Sequence, residues 1–210
     1  AVRSRGLGDV YKRQGIRQSA TQVLDDEPLA EKFKTAFRAA AARANYLAQD
    51  RPDCQFACKE ICRWMAKPTT GSFDALKRLC RFLVGAPRLV WKFGIQESSG
   101  ISVYSDTDWA GCARTRKSTS GGCILVGTHL IKRWSSTQAS VALSSGEAEF
   151  YGVVKAAGAG LGYQALMRDF GVDMPIIVFI NSTATIGISS RQGLGKLRHL
   201  DTTALWIQQA

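Results

Sequence analysis

The sequence predicts an α/β fold, a mixed sheet with flanking helices preceded by a small helical segment. Three observations predict it. Between residues 28 and 86, apolar side chains recur at the three- and four-residue spacing of helices. From 88 to 134, short runs rich in Val, Ile, Leu and aromatics alternate with Gly- and Ser-rich turns. A long helix then opens at Ser144, and one more apolar run follows at 175–182. At 210 residues, 45% hydrophobic and 21% charged, the chain has room for one large domain or two small ones.

The helical segment is punctuated by start and stop signals. Asp25-Asp26-Glu27-Pro28 reads as a helix start, with Leu29, Phe33, Ala36, Phe37, Ala40, Ala44 and Leu47 along its apolar stripe. Asp50-Arg51-Pro52 opens a second helix carrying Phe56, Ile61, Trp64 and Met65, which Pro68 ends. Ser72 opens a third, with Phe73, Leu76, Leu79, Phe82 and Leu83 inside it and Gly85 and Pro87 at its end. Cys54, Cys58 and Cys62 lie four apart on one helical face, a spacing that matches no zinc or iron–sulfur pattern, so they are read as small packing groups.

The second part reads as strands. Arg88–Phe93 and Ile101–Asp106 are expected to pair as a hairpin around a turn-rich loop at 94–100. Residues 112–122 read as a basic, hydroxyl-rich loop, and Cys123–Val126 and Leu130–Trp134 as two more strands. Ser144-Ser145-Gly146-Glu147 is an S-x-x-E capping box, which commits Glu147 to a cap amide. Glu149 lies about 200° around the helix from it and is free to point elsewhere. Gly158, Gly160 and Gly162 predict a helix break near 158–162, or drift in an unselected copy. Pro175–Ser182, apolar on both faces, is expected to be a central strand. A last helix is expected from Thr202.

Charge and composition narrow the classes of partner. Lys and Arg total 28 against 17 Asp and Glu, a net +11 that favours an acidic partner such as nucleic acid. No apolar run reaches membrane-spanning length, and the six cysteines lack the spacing of a secreted disulfide framework, which favours a reducing, intracellular setting. Residues 1–14 look like a translated sequencing-library adapter and are read as non-native; without them the balance is 24 against 16, or +8.

Several motifs carry a resemblance. Tyr104-Ser-Asp-Thr-Asp-Trp-Ala-Gly111, Arg116-Lys-Ser-Thr-Ser-Gly121, Trp134-Ser-Ser136 and Val141-Ala-Leu-Ser-Ser-Gly-Glu-Ala-Glu-Phe-Tyr151 resemble the successive signatures of the ribonuclease H domain of copia-type LTR retrotransposon Pol polyproteins. Asn45–Asp53, Lys67-Pro-Thr69 and Leu76–Leu83 resemble the helical tether that joins the reverse transcriptase to that domain; the plainer reading is a three-helix structural unit. The resemblance implies a ribonuclease H-like fold over 87–210, truncated at its C-terminus, and a connection segment over 15–86. It implies hydrolysis of the RNA strand of RNA/DNA hybrids during reverse transcription, a polymerase domain in the same polyprotein, no membrane partner, and a cytoplasmic, virus-like-particle-associated setting.

The family's chemistry needs carboxylates converging on two Mg²⁺ ions, hard cations that prefer oxygen ligands. By resemblance Asp106 is the first carboxylate and Glu149 the second. Asn181 stands where the family has Asp, which removes a charge from the metal set. The fourth family acid lies in a later segment that this chain does not contain. Asp108 is read as a turn group or as a support behind the metal ligands, in preference to a ligand itself, and Asp201 as an N-cap in preference to a metal contact. Arg114, Arg116, Lys117, Ser118, Trp134, Arg198 and His199 are candidate nucleic-acid contacts, with Lys132 and Arg133 beside Trp134. Impaired cleavage is therefore expected. The alternatives are a degenerate copy that only binds nucleic acid, and an unrelated α/β interaction domain whose acids are caps and turns.

Overall fold

The computed structural model describes residues 27–193 and 202–209. The readings made on residues 1–26, Arg198, His199 and Asp201 lie outside the described residues.

The first helix, α1, spans Glu31–Leu47. It starts later than the acidic run suggests, because Pro28 is drawn into an antiparallel bridge with Thr69. The flanking groups carry that bridge: Leu29 N–H donates to Pro68 O and Thr70 N–H to Glu27 O, both at 2.9 Å. Proline suits the position because the bridge asks no donor of it. The buried stripe is Phe37, Ala41, Ala44 and Ala48, while Phe33, Ala36 and Leu47 stay exposed. A 3-10 turn, Pro52–Cys54, leads into α2, Gln55–Cys62. Helix α3 spans Thr70–Gly85, and its cap is Thr69, not Ser72: the two side chains cap each other's backbone amides reciprocally. These elements close around Phe37, Ala41, Cys54, Cys58, Ile61, Leu76 and Leu79. Cys54 and Cys58 are each 1% exposed, and burial first, then neighbouring Cys54, pushes the Cys58 thiol up to about 11.

The sheet has four strands: β1 Ile101–Asp108, β2 Thr119–Val126, β3 His129–Thr137 and β4 Ile176–Phe179. Its order is β3-β2-β1-β4, antiparallel except for the parallel β1–β4 pair. The fold is thus α/β with a mixed sheet. The expected hairpin from Arg88–Phe93 does not form, since β2 and β4 already occupy both edges of β1. The 94–100 loop is instead tied down by Gln96, whose amide donates to Val126 O at 2.7 Å and accepts from Thr128 N–H at 2.8 Å.

Strand β2 takes in four residues read from sequence as loop, Thr119–Gly122. They pair with Ser105–Asp108, and Trp134 lies across Gly122, where an added Cβ would come within 2.2 Å of the indole. Strand β4 is an edge strand, not a central one, with Ile177 55% and Phe179 42% exposed. Its apolar outer face is used locally: Phe179 stacks on Tyr104 with ring centroids 4.8 Å apart.

Helix α4, Ser145–Asp169, crosses the sheet unbroken through all three glycines expected to interrupt it. Ala148, Gly152, Ala156 and Gly160 recur every four residues as one buried seam. A Cβ at Gly160 would lie 3.0 Å from Val103 and 3.1 Å from Ile176, so glycine here lets the helix axis approach the strands. The helix ends in a Schellman turn at Gly171 (φ +78), with Val172 N–H donating to Met167 O and Gly171 N–H to Arg168 O. A short α5, Thr183–Ser189, follows β4, and the expected terminal helix is a 3-10 helix, Thr202–Gln208.

Candidate functional site

Strand alternation divides the residues of β1 between two faces. Val103, Ser105 and Thr107 turn toward α4: a Cβ at Gly160 would meet Val103, and one at Gly152 would lie 2.4 Å from Thr107 Oγ1 and 3.1 Å from Ser105 Oγ. Asp106 and Asp108 take the other parity and are exposed. The chain turns sharply after Asp108. Its carboxylate lies against Gly111, where a Cβ would be only 1.7 Å from Oδ2, and Ala110 adopts a left-handed φ of 53°. Desolvation raises Asp108 above its ordinary value; Lys59 opposes this, while Glu60 and Asp106 add to it. Lys59 and Glu60 belong to α2, so the helical unit sits beside this turn.

Glu149 stands in the first turns of α4 and is 9% exposed. Desolvation, and then the charge of Asp106, raises its carboxyl above the usual range, while the Thr107 backbone amide opposes the shift. Oε2 of Glu149 is buried with no hydrogen-bond partner. The neighbouring Glu147 is occupied: Ser144 Oγ caps the Glu147 amide at 3.2 Å, and Glu147 Oε2 accepts from Leu143 N–H at 2.8 Å. That amide is one residue earlier than the capping box predicts. Asn181 is exposed two residues beyond the end of β4. The parallel register pairs Tyr104 with Phe179, so two further residues along each chain lead to Asp106 and Asn181.

Beneath Glu149 lies a polar layer that sequence reasoning missed. Gln138 Nε2 donates to Ser120 Oγ at 2.9 Å and to Ala148 O at 2.8 Å, fastening the helix turn that bears Glu149 to β2. Ser105 Oγ, Thr107 Oγ1 and Gln138 Oε1 are buried without partners. The available signal was parity: Ser105 and Thr107 alternate with the aspartates, and the small residues of α4 recur every fourth position.

The candidate nucleic-acid contacts divide. Trp134 is 9% exposed within the core under α4, and Ser118 is fully buried with its Oγ accepting from Ala110 N–H at 3.0 Å, so neither offers a surface to a ligand. Arg114 lies over Trp64 of the helical unit, 4.8 Å from the ring centroid. Lys117 donates to Ala139 O, and Arg133 donates to the carbonyls of Ala48 and Gln49. Arg116 is exposed, in a left-handed conformation (φ 54). Cys112, in the same loop, is buried against Arg63 of the helical unit. Burial alone would push its thiol up, but hydrogen bonds from Thr115 and Arg63 outweigh it and hold the thiol at about 7.

No protein-family model matches the chain, and no solved structure matches it. Curated proteins do. The chain is 36% identical over 116 residues to an uncharacterized mitochondrial protein of Arabidopsis thaliana, covering 54% of this chain and 48% of that protein. It is 31% identical over 173 residues to the retrovirus-related Pol polyprotein from transposon RE2, and 30% over 171 residues to that from transposon RE1, both of Arabidopsis thaliana. Each of these two matches covers 79% of this chain and 12% of the polyprotein, so the chain spans about an eighth of their length. Over about four-fifths of its residues, this chain is similar to a stretch of the retrovirus-related Pol polyproteins of transposons.

Proposed function

We propose that this chain is the ribonuclease H-like part of a copia-type retrotransposon Pol polyprotein, with residues 15–86 as its connection to a polymerase domain and residues 87–210 as the ribonuclease H-like domain. Its ancestral reaction is hydrolysis of the RNA strand of an RNA/DNA hybrid. The observation that carries the reading is the placement of Asp106 near the end of β1, level with Asn181 past the parallel strand β4, and of the buried Glu149 on the first turns of α4; the Asp106 charge helps to raise the Glu149 carboxyl. A mixed sheet with β4 parallel to β1, and the similarity to Pol polyproteins, support it.

The donor set for Mg²⁺ is short. Asp106 and Glu149 are the carboxylates that would face the ion, and the unpartnered Oε2 of Glu149 suits a cation ligand. Asn181 contributes a carbonyl but no charge. Among the described residues, no group of three or more His, Cys, Asp or Glu side chains converges on one point. Two carboxylates and an amide gather divalent charge poorly, so metal-dependent cleavage is weak or absent in this chain.

Binding outlasts cleavage in this reading. The basic excess, +8 without residues 1–14, and the exposed Arg116 favour phosphate contacts that need no metal. An RNA/DNA hybrid incubated with the chain and Mg²⁺ tests both halves. The expected result is hybrid binding that weakens with salt, with cleavage near background. Robust cleavage abolished by Asp106→Asn would overturn the impairment while supporting the site. Binding indifferent to salt would sink the nucleic-acid reading altogether.

A further inference from the structure

A groove of about 640 Å³ opens between the helical unit and the turn after β1. Its floor is apolar, with Ala57 and Ile61 of α2 and Ala75 and Leu79 of α3. Phe56 and Phe82 also line it, and they are 58% and 47% exposed. Two large rings left open beside an apolar floor mark a surface that another apolar group can cover.

The charges around the groove do not balance. Its acids are committed: Asp53 accepts paired bonds from Arg51, and Glu60 pairs with Lys59 at 2.6 Å and with Arg63 at 3.1 Å. Arg78 of α3 and Arg114 of the turn line the groove too. Among the described residues, neither takes part in an ion pair. Helical side chains lean toward the N-terminal end of their helix, which tilts the exposed Arg78 toward Gly71 and Ser72 at the rim. The first turn of α3 holds no acidic residue, so no side chain of its own answers the positive end of the helix.

The described chain begins at that rim. Glu27 O accepts from Thr70 N–H at 2.9 Å, and Pro28 bridges Thr69 antiparallel. That direction, followed backwards from Pro28 through Glu27, leads past Thr70 to Gly71. The residues ahead of Glu27 are Val23, Leu24, Asp25 and Asp26, an apolar pair and then an acidic pair, and they lie outside the described residues. Extended chain covers about 3.3–3.6 Å per residue, which puts Val23 within about 14 Å of Glu27; from Thr70 to Leu79, α3 rises about 13 Å. The reach of the segment matches the length of the groove, and its order of charge matches the order of the lining.

We propose that this groove is the docking site of the chain's own segment Val23–Asp26. Asp25 and Asp26 meet Arg78, Arg114 and the N-terminal end of α3, and Val23 and Leu24 cover Phe56 and Phe82. The docking is independent of the function proposed above, since it uses neither the carboxylates nor a nucleic acid.

The test uses the full chain with carbon-13 in its leucine and valine methyl groups. Nuclear Overhauser contacts from the Leu24 methyls to the Phe56 and Phe82 rings are expected. Arg78→Glu should abolish them without touching the core, because Arg78 is exposed. Adding Asp25→Arg or Asp26→Arg to that variant should bring them back. Leu24→Ser should lower the thermal midpoint by about 2–4 °C. A sample that mixes labelled and unlabelled chains separates the sources: contacts that cross between molecules would overturn the proposal and give the groove to a second copy. Leu24 methyls that touch neither ring in the wild-type chain would overturn it outright.

Discussion

In the helical unit, buried polar groups close on one another; under the first turns of α4 they do not. Arg51 is 6% exposed and makes paired bonds to Asp53 at 3.0 and 2.8 Å, and Thr69 and Ser72 cap each other. Among the described residues, none from 27 to 93 has a buried side-chain polar atom without a partner, whereas Ser105, Thr107, Gln138 and Glu149 each have one within a single layer. Burying such a group without any partner costs about 1–3 kcal/mol, so the polar layer is where the protein's own atoms compensate burial least. The helical unit satisfies its buried polar groups internally. The layer under the candidate carboxylates leaves four atoms that its own side chains do not satisfy.

The sharpest way to separate the two regions is to damage the first. Phe37 is fully buried in the helical core, and Phe37→Ala should cost about 3–5 kcal/mol in urea denaturation. The two units bury separate apolar clusters, so the sheet should retain its amide protection when the helical unit loosens. Simultaneous loss of both would show that the helical unit is a structural part of the same core.

A smaller effect probes the seam beneath Glu149. A methyl at Gly152 would come within 2.4 Å of Thr107 Oγ1, so Gly152→Ala should destabilise by about 1–2 kcal/mol despite alanine's better helix propensity. It should also displace Glu149, read as a changed carboxyl chemical shift. A stabilised Gly152→Ala variant would mean that the polar layer yields easily.

The loop that joins the two regions makes a pH-dependent contribution. Cys112, with an ordinary value near 9.0 and about 7 in the fold, stabilises the fold as its thiolate. That contribution is complete above the unfolded value and is lost as pH falls through 7. It is worth at most about 3 kcal/mol, as an order of magnitude. Between pH 6.5 and 9, wild-type stability should rise relative to Cys112→Ala. Parallel curves would remove the Arg63–Cys112 contact from the account. The smallest effect is a gain: Gly162 has nothing within 4 Å of an added Cβ, so Gly162→Ala should stabilise by about 0.5–1 kcal/mol in thermal melts, where Gly152→Ala does the reverse.

The sequence alone determined the elements whose signals are local. The Ser144 cap and the end of α3 near Gly85 depend on nearest neighbours in the chain, and both stand where their residues point. The places of Asp106 near the end of β1 and of Glu149 in the first turns of α4 were legible too, from the apolar run at 101–106 and the cap signal at Ser144. Tertiary structure decided everything that depends on which surface faces which. It gave the free edge of β1 to Ile176–Phe179 instead of Arg88–Phe93, because one strand has only two edges. It drew the Thr119–Gly122 hydroxyl run into a strand and turned Trp134 inward over Gly122, where flatness mattered more than polarity. It kept α4 continuous, because Gly160 gains more from letting the helix approach Val103 and Ile176 than it loses in propensity. And it brought the unpartnered hydroxyls of Ser105 and Thr107 on β1, the amide oxygen of Gln138 just past β3 and the Glu149 carboxylate on α4 into one layer, which no spacing along the chain records.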